Sequence, residues 1–69
     1  MKGCEVEFVD VSRSRKFSYT GVRKIVVRVE EGMIYIRGID PVTNEMYFVM
    51  ISDADYDYFI VNKEDEVNE

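Results

Sequence analysis

Residues 25–39, IVVRVEEGMIYIRGI, decide the fold of this chain. Apolar residues recur at alternate positions from Ile25 to Val29, and a second run of β-forming residues extends from Met33 to Ile39. A period of two is typical of a strand with one buried face. Between the runs stands Glu30-Glu31-Gly32, whose glycine accommodates the positive φ that a tight connection requires. The stretch therefore predicts a β-hairpin.

The β pattern extends to both sides of this hairpin. After Phe8 the alternation slips by one residue, which predicts a β-bulge at Phe8–Val9. Ser12–Lys16 is polar and is predicted to be a loop, and Gly21 ends the short strand that follows it. Five or six short strands without a long helix predict an all-β fold, namely a small antiparallel barrel of the SH3-like, Sm-like or OB type. The further β-rich segments are 4–11, 17–20, 46–51 and 56–61.

The segment Met46–Ile51 is apolar without interruption. Such a run is either buried on both faces of a sheet, or leaves one apolar face for a partner. Its two methionines favour adaptable packing or a dimer seam. A domain of 69 residues has a small core and often gains stability by association, so a homodimer is one of the expected partnerships.

The chain is predicted to form one domain over residues 1–62, followed by an acidic tail at 63–69 that frays. Ser52 with Asp55 three residues later resembles a capping box and predicts a single helical turn. The start of the sequence has no secretory pattern, and no run approaches the length of a membrane span. With a single cysteine, Cys4, the expected location is the cytoplasm, away from membranes.

A family resemblance is carried by residues 32–44, GMIYIRGIDPVTN. This segment resembles the strand–turn–strand of the Sm-like family, which has a glycine, alternating apolar residues, and an aspartate followed four residues later by an asparagine. Asp40 and Asn44 match that last spacing. The glycine-to-aspartate distance is two residues longer than in the family, and the second arginine-glycine motif is missing near 58–61. The resemblance therefore implies a small barrel, and hardly implies binding of uridine.

The residue types exclude several classes of enzyme. The chain has no histidine, so it contains neither a Ser-His-Asp triad, a Cys–His nucleophile nor a Cys/His zinc site. Its four glycines are scattered, without a phosphate-binding motif. We therefore expect a protein that binds without catalysing a reaction, and that uses no metal or cofactor.

The charges are sorted along the chain. Nine basic and fourteen acidic residues give a net charge of −5. Between Val11 and Val29 there are six basic residues and no acid, whereas from Ile39 onward there are nine acids and one base. In the simplest interpretation, the two groups pair across the fold and keep the protein soluble. Two functional hypotheses use them instead.

The leading hypothesis makes the acidic part the working surface. In an extended segment, Asp53, Asp55 and Asp57 would project from one side, beside Tyr56 and Tyr58. Such a row predicts binding to a basic protein partner, and it resembles the charge pattern of a nucleic-acid backbone. The protein would then be an inhibitor that mimics nucleic acid, and its partner a nucleic-acid-binding protein.

The alternatives use the basic part. A first alternative is a small barrel that binds RNA or single-stranded DNA, because cations contact phosphates and aromatic rings stack on bases. A second alternative is a structural subunit that oligomerises head to tail, with its basic surface on the acidic surface of the next copy. The candidate nucleic-acid-binding residues are Arg13, Arg15, Lys16, Phe17 and Tyr19.

Overall fold

The computed structural model describes residues 3–63, which form five β-strands and two short 3₁₀ turns. The strands are β1 (Cys4–Asp10), β2 (Arg15–Arg28), β3 (Met33–Ile39), β4 (Met46–Ser52) and β5 (Tyr58–Lys63). The 3₁₀ turns are Val29–Glu31 and Asp53–Asp55. The prediction of an all-β fold without a long helix is confirmed. The predicted frayed tail lies outside the described residues from position 64, while Lys63 belongs to β5.

The strands form one antiparallel sheet in the order β4-β3-β2-β1-β5. Each strand lies beside its neighbour in sequence, except that β5 returns to the free side of β1. β4 and β5 are therefore the two edges, and no pairing between them joins the described residues into a closed cylinder. The prediction of five or six antiparallel strands is confirmed with five, and the predicted closure into a barrel is not.

β2 is the strand around which the sheet bends. The sequence predicts two separate strands here, but residues 15–28 form one strand of 14 residues. Its first half pairs with β1 and its second half with β3, and the register shifts between Val22 and Lys24. The predicted bulge at Phe8–Val9 is wrong, since these residues pair in unbroken register with Phe17 and Lys16. The irregularity of β1 lies instead between Cys4 and Val6.

Gly21 makes the bend of β2 possible. Its φ is +69°, in the left-handed region that other residues rarely adopt, and a Cβ atom there would collide with the carbonyl oxygen of Ile39. Gly38 of β3 is similarly confined, because an added Cβ would lie 2.6 Å from the Tyr47 ring. The glycine predicted to end one strand therefore bends a continuous one.

The bend gives the sheet an inner face that holds the core. Phe8 is fully buried there, and its ring lies 5.0 Å from Tyr56, 5.3 Å from Phe17, 5.5 Å from Phe59 and 6.1 Å from Tyr19, measured between centroids. Aromatic pairs at such distances stabilise beyond the area that they bury. The remaining buried apolar residues are Val6, Val22, Ile34, Ile36 and Ile51.

The connections agree well with the sequence. Gly32 has a φ of +66° and closes the predicted hairpin of residues 25–39. The Asp40–Asn44 turn is held by the Asp40 carboxylate, which accepts a hydrogen bond of 2.8 Å from the Val42 N–H. Ser52 Oγ accepts a hydrogen bond from the Ala54 N–H and begins the predicted helical turn, which is a 3₁₀ turn.

We predict that Gly21→Ala destabilises the protein by at least about 1–2 kcal/mol, because the added Cβ meets both an unfavourable φ and the Ile39 carbonyl. Urea unfolding followed by circular dichroism measures the change. Thr20→Ala is the matched control, since it alters an exposed side chain one position away. Equal stability of Gly21→Ala and the unaltered protein would contradict the role given to Gly21.

Candidate nucleic-acid interface

The predicted basic segment is largely neutralised by acids of β1. Asp10 is buried, with 3% exposure, and its carboxylate accepts hydrogen bonds from Ser12 Oγ and the Arg13 N–H. Its Oδ2 atom also lies 3.4 Å from Arg13 Nε and 3.2 Å from Arg15 Nη2. Lys16 Nζ is 3.2 Å from Glu7 Oε2. All three candidate cations thus have protein carboxylates as partners.

The aromatic residues of the same segment face the core. Phe17 stacks on Phe8 with an interplanar angle of 10°, and Tyr19 meets Phe8 edge to face at 81°. Both rings are half-buried on the inner face, whereas Lys16 lies on the outer face. The structure therefore separates the aromatic residues of this segment from Lys16. Their role in binding stays a prediction, with a geometry less favourable than the sequence suggests.

The acidic residues of the leading hypothesis do not form an extended row. Asp53 and Asp55 belong to the 3₁₀ turn at 53–55, so the expected alternation along a strand is wrong. Asp57 is occupied elsewhere, because its Oδ2 atom accepts a hydrogen bond of 2.6 Å from the Val11 N–H. The reason is local: the Ser52 cap winds the chain into a turn that an alternation pattern alone does not show.

The two tyrosines of the leading hypothesis also diverge. Tyr56 packs edge to face on Phe8, and its pKa is raised by burial and by the charge of Asp53. Tyr58 is 49% exposed and pairs with Val9 on the outer face. Among the five predicted partner-binding residues, only Asp53, Asp55 and Tyr58 are therefore exposed and without a hydrogen bond from their side chain to another described residue.

Asp53 and Asp55 lie instead beside a second pair of acids. The 3₁₀ turn at 29–31 carries Glu30 and Glu31, and neither 3₁₀ turn contains a basic residue. The Asp53 N–H donates a hydrogen bond of 2.8 Å to the Gly32 carbonyl, which holds the two turns together. We call these four residues, Glu30, Glu31, Asp53 and Asp55, the acidic end. It combines parts of the sequence that are more than 20 positions apart.

An unexpected surface covers the outer face of β2, β3 and β4. The register places Lys24, Arg37 and Phe48 side by side in one row across the three strands. The next row contains Val26, Tyr35 and Met50. A shallow groove of about 150 Å³ runs between the two rows. We call the residues lining it, Lys24, Val26, Tyr35, Arg37 and Phe48, the platform.

The platform presents flat aromatic surface to solvent. Phe48 is 63% exposed, and its ring stacks on Tyr35 with centroids 6.2 Å apart and planes 17° apart. Tyr35 Oη donates a hydrogen bond of 2.9 Å to Glu31 Oε1. This hydrogen bond, followed by burial and the charge of Glu31, raises the pKa of Tyr35, so the phenol stays neutral at physiological pH.

Among the described residues, the cations of the platform have no carboxylate partner. Lys24 and Arg37 are directly opposite on adjacent strands, and neither makes a salt bridge with a carboxylate within residues 3–63. Like charges in this position repel and destabilise a sheet. Arg28 adds a third exposed cation two positions along β2 from Val26. No outward position from Lys24 to the end of β2, or in β3 and β4, carries a carboxylate.

Sequence reasoning missed the platform because its members come from three strands. Lys24 and Arg28 were counted in the basic block, but Arg37 and Phe48 become their neighbours only through the strand register. The signal was present in the hairpin at Gly32 and the turn at Asp40–Asn44, which set that register. Counting outward positions from the two turns brings positions 24, 37 and 48 into one row.

A larger cleft of the sheet is used by the fold itself. It has a volume of about 370 Å³ and lies where β4 approaches the first half of β2. Tyr47 Oη crosses it and donates a hydrogen bond of 2.6 Å to the Thr20 carbonyl. Asp40, at its rim, is engaged with its own turn. Its polar groups therefore serve the packing of β4 onto β2.

Within residues 3–63, no group of three or more Cys, Asp or Glu side chains is arranged so that it holds a metal ion. In that part of the chain, no helix has the length and apolarity needed to cross a bilayer.

Comparison with models of protein families, with characterised proteins and with solved structures finds no match to this chain.

We predict that the protein loses stability as the pH falls below about 4, in part through Asp10. Burial favours its neutral form, but hydrogen bonds from Ser12, Arg15 and Arg13 outweigh burial and lower its pKa from the ordinary value of 3.8. A lowered pKa gives a contribution that is complete above the unfolded-state pKa, and is lost as pH falls through the folded-state pKa.

Urea unfolding measured at pH values from 2 to 7, about one unit apart, tests this prediction. Asp10→Asn should be less stable than the unaltered protein at pH 7. Its free energy of unfolding should also fall less than that of the unaltered protein as the pH is lowered. Asp55→Asn is the control, because Asp55 is exposed and makes no side-chain hydrogen bond to another described residue. An acid decline that is unchanged in Asp10→Asn would contradict the prediction.

Proposed function

We propose that this protein binds single-stranded nucleic acid through the platform. The proposal relies above all on the Lys24–Arg37 pair, two cations that face each other across adjacent strands without a carboxylate. Phosphate groups are a ligand that would relieve this repulsion. The proposed function is non-enzymatic. It agrees with the first alternative of the sequence analysis, binding of RNA or single-stranded DNA, but it uses the outer face of β2–β4 in place of residues 13–19.

The second support is the aromatic surface beside the cations. Exposed rings bind unpaired bases by stacking, each stacked base contributing roughly 1–3 kcal/mol, and they tolerate any sequence because every base has a π-face. Phe48 and Tyr35 provide such rings directly beside Arg37. A duplex hides its base faces, so the combination favours single strands.

The net charge of −5 requires that binding be local. Exposed charges are screened beyond about 10 Å at an ionic strength of about 0.1 M, so a ligand on the platform responds mainly to the nearby cations. The Glu31 carboxylate adjoins the platform, because it accepts a hydrogen bond from Tyr35 Oη. The platform and the acidic end are therefore neighbouring surfaces of opposite charge that meet at this hydrogen bond.

Titration of a labelled oligonucleotide, followed by fluorescence anisotropy at about 50 mM salt, tests the proposal. Three cations, Lys24, Arg28 and Arg37, predict a slope of about −2 for log K against log salt on a single strand. Phe48→Ala should weaken binding roughly fivefold to hundredfold and leave that slope unchanged. Lys24→Gln and Arg37→Gln should each reduce the slope by about 0.7.

The matched controls come from the basic segment. Arg13→Gln and Lys16→Gln remove the same charge, but from residues that are paired with Asp10 and Glu7. They should leave the affinity close to that of the unaltered protein. If these two variants lose binding and the platform variants do not, residues 13–19 are the binding surface. Absence of binding to any single strand at low salt would remove the proposal.

The acidic end supports a second candidate function, which is the leading interpretation of the sequence in altered form. Glu30 and Glu31 join Asp53 and Asp55 on two linked turns without a basic residue, and such a surface favours a basic protein partner. Tyr58 and Asp57 lie elsewhere, so imitation of a nucleic-acid backbone by a row of aspartates loses its geometric basis.

We predict that a basic, nucleic-acid-binding partner is retained through the acidic end if this second function holds. The tagged protein is incubated with nuclease-treated lysate, and retained proteins are identified by mass spectrometry. The variant Glu30→Gln, Glu31→Gln, Asp53→Asn, Asp55→Asn should release them, whereas the control Glu5→Gln should not. Equal retention by both variants would count against the acidic end.

A further inference from the structure

β4 is an edge strand without any of the protections that edges normally have. Natural sheets guard their edges with charged residues, prolines, bulges or short strands. Residues 46–52, MYFVMIS, contain no charge, no proline and no glycine, and they pair with β3 over seven residues without a register shift. No strand of residues 3–63 pairs with the other edge of β4. Its backbone groups are thus arranged to receive another strand.

The exposed side chains of β4 add an apolar surface to this edge. Met46, Phe48 and Met50 project from the outer face with exposures of 72%, 63% and 61%. The three side chains are neighbours on one face of one strand and form an apolar patch. The largest apolar patch of a monomeric protein, about 300–600 Å², is often functional. Of the two alternatives predicted for Met46–Ile51, the structure confirms the exposed apolar face.

We infer that β4 pairs with the β4 of a second copy of this chain, antiparallel and across a two-fold axis. Such a contact needs only one surface, because each copy presents the same strand. Antiparallel pairing of β4 with itself places outer side chains opposite outer ones, and inner opposite inner. No charged residue lies within the paired strand, so no like charges oppose each other there.

The residues flanking β4 select the register. With Val49 on the axis, Glu45 would oppose Asp53 of the second copy, and these like charges repel. With Phe48 on the axis, Glu45 opposes Ile51, Met46 opposes Met50, and Tyr47 opposes Val49. The Phe48 register therefore avoids the repulsion, and it places the two Phe48 rings side by side on the outer face.

The contact is a strand edge and is therefore small. Pairing along one strand of seven residues places the interface at the low end of the range for protein complexes, below about 1,200 Å² in total, so the dimer should be sought at high protein concentration. Two five-stranded sheets would join into one sheet of ten strands. If the proposed function also holds, the two platforms become neighbours on that sheet, but the dimer itself does not depend on nucleic acid.

Sedimentation equilibrium without nucleic acid, at about 100 µM protein, measures whether the protein is a monomer or a dimer. The expected mass is 2 × 8.1 = 16.2 kDa, and it should hold between about 50 and 500 mM salt because the seam is apolar. A mass of 8.1 kDa would overturn the inference. A mass that falls with rising salt would overturn it in favour of head-to-tail assembly, in which the platform of one copy meets the acidic end of the next.

Two substitutions locate the seam. Met50→Lys places a charge among the apolar side chains of β4 and should yield a monomer. The matched control is Ile60→Lys on β5, the other edge strand, where Ile60 is also on the outer face and 41% exposed. Ile60→Lys should leave the dimer intact. Dissociation by Ile60→Lys alone would mean that β5 forms the interface, and would overturn the pairing of β4 with β4.

Cysteine cross-linking then tests the register, in a Cys4→Ser background. Directly opposed residues have Cα atoms about 4.5–5.5 Å apart, within the range that a disulfide spans. Phe48→Cys should oxidise to a covalent dimer, and so should the double variant Met46→Cys, Met50→Cys, which keeps Phe48. Met50→Cys alone should not. Cross-linking of Met50→Cys alone, or of neither expected variant, would overturn the Phe48 register.

These outcomes are distinct from those of the proposed function. Met50→Lys is expected to be monomeric, but Met50 borders the groove and the variant adds a cation there. The comparison is therefore with Met50→Lys that also carries Lys24→Gln and Arg37→Gln, in which, of the cations at the groove, only the added one remains. Oligonucleotide binding by the Met50→Lys monomer, measured as above, tests the platform without the dimer. An unaltered protein that is monomeric but binds the oligonucleotide would mean that the dimer proposal fails, and an intact dimer that does not bind it would mean that the platform proposal fails.

Discussion

The bend of β2 at Gly21 is the constraint on which the rest of this structure depends. A straight strand of 14 residues would pair with the same two neighbours along its length. The bent β2 pairs with β1 through its first half and with β3 through its second half. The bend turns the inner face onto itself, so that Phe8 from β1 and Ile34 and Ile36 from β3 share one core. It depends on a positive φ and on close approach to Ile39, which glycine alone tolerates.

The same bend divides the positive charges into two groups with different roles. Cations before Gly21 lie beside β1, whose Asp10 and Glu7 neutralise them and tie the β1–β2 connection to the sheet. Lys24 and Arg28, after the bend, lie beside β3, which offers Arg37 and no carboxylate on the outer face. One block in the sequence thus becomes a group paired with carboxylates of β1 and a group, Lys24 and Arg28, that has no salt bridge within residues 3–63.

Much of the fold was readable because its signals are local. Alternation identified the strands, Gly32 identified the hairpin, and Ser52 identified the turn that follows β4. The length of β2 was missed because Gly21 was interpreted as the end of a strand. A glycine within an alternating pattern also indicates a bulge or a close approach of the backbone, and the contact of Gly21 with Ile39 is such an approach. The predicted row of aspartates is wrong because the cap at Ser52 starts a 3₁₀ turn, although the alternation of the sequence continues through that turn.

The candidate site was the least predictable feature, because neighbours in a sheet are set by register rather than by sequence distance. Lys24, Arg37 and Phe48 span 25 positions, 24–48, yet they form one row. Phe48 belongs to this row and also to the exposed edge strand, so the apolar surface that favours a second copy adjoins the cations that favour phosphate. A symmetric pairing at β4 would leave the row open to solvent on its outer side, because strand addition extends a sheet sideways and does not cover its face. Self-association and ligand binding are therefore compatible at the same strand, one using its backbone edge and the other the face of its rings.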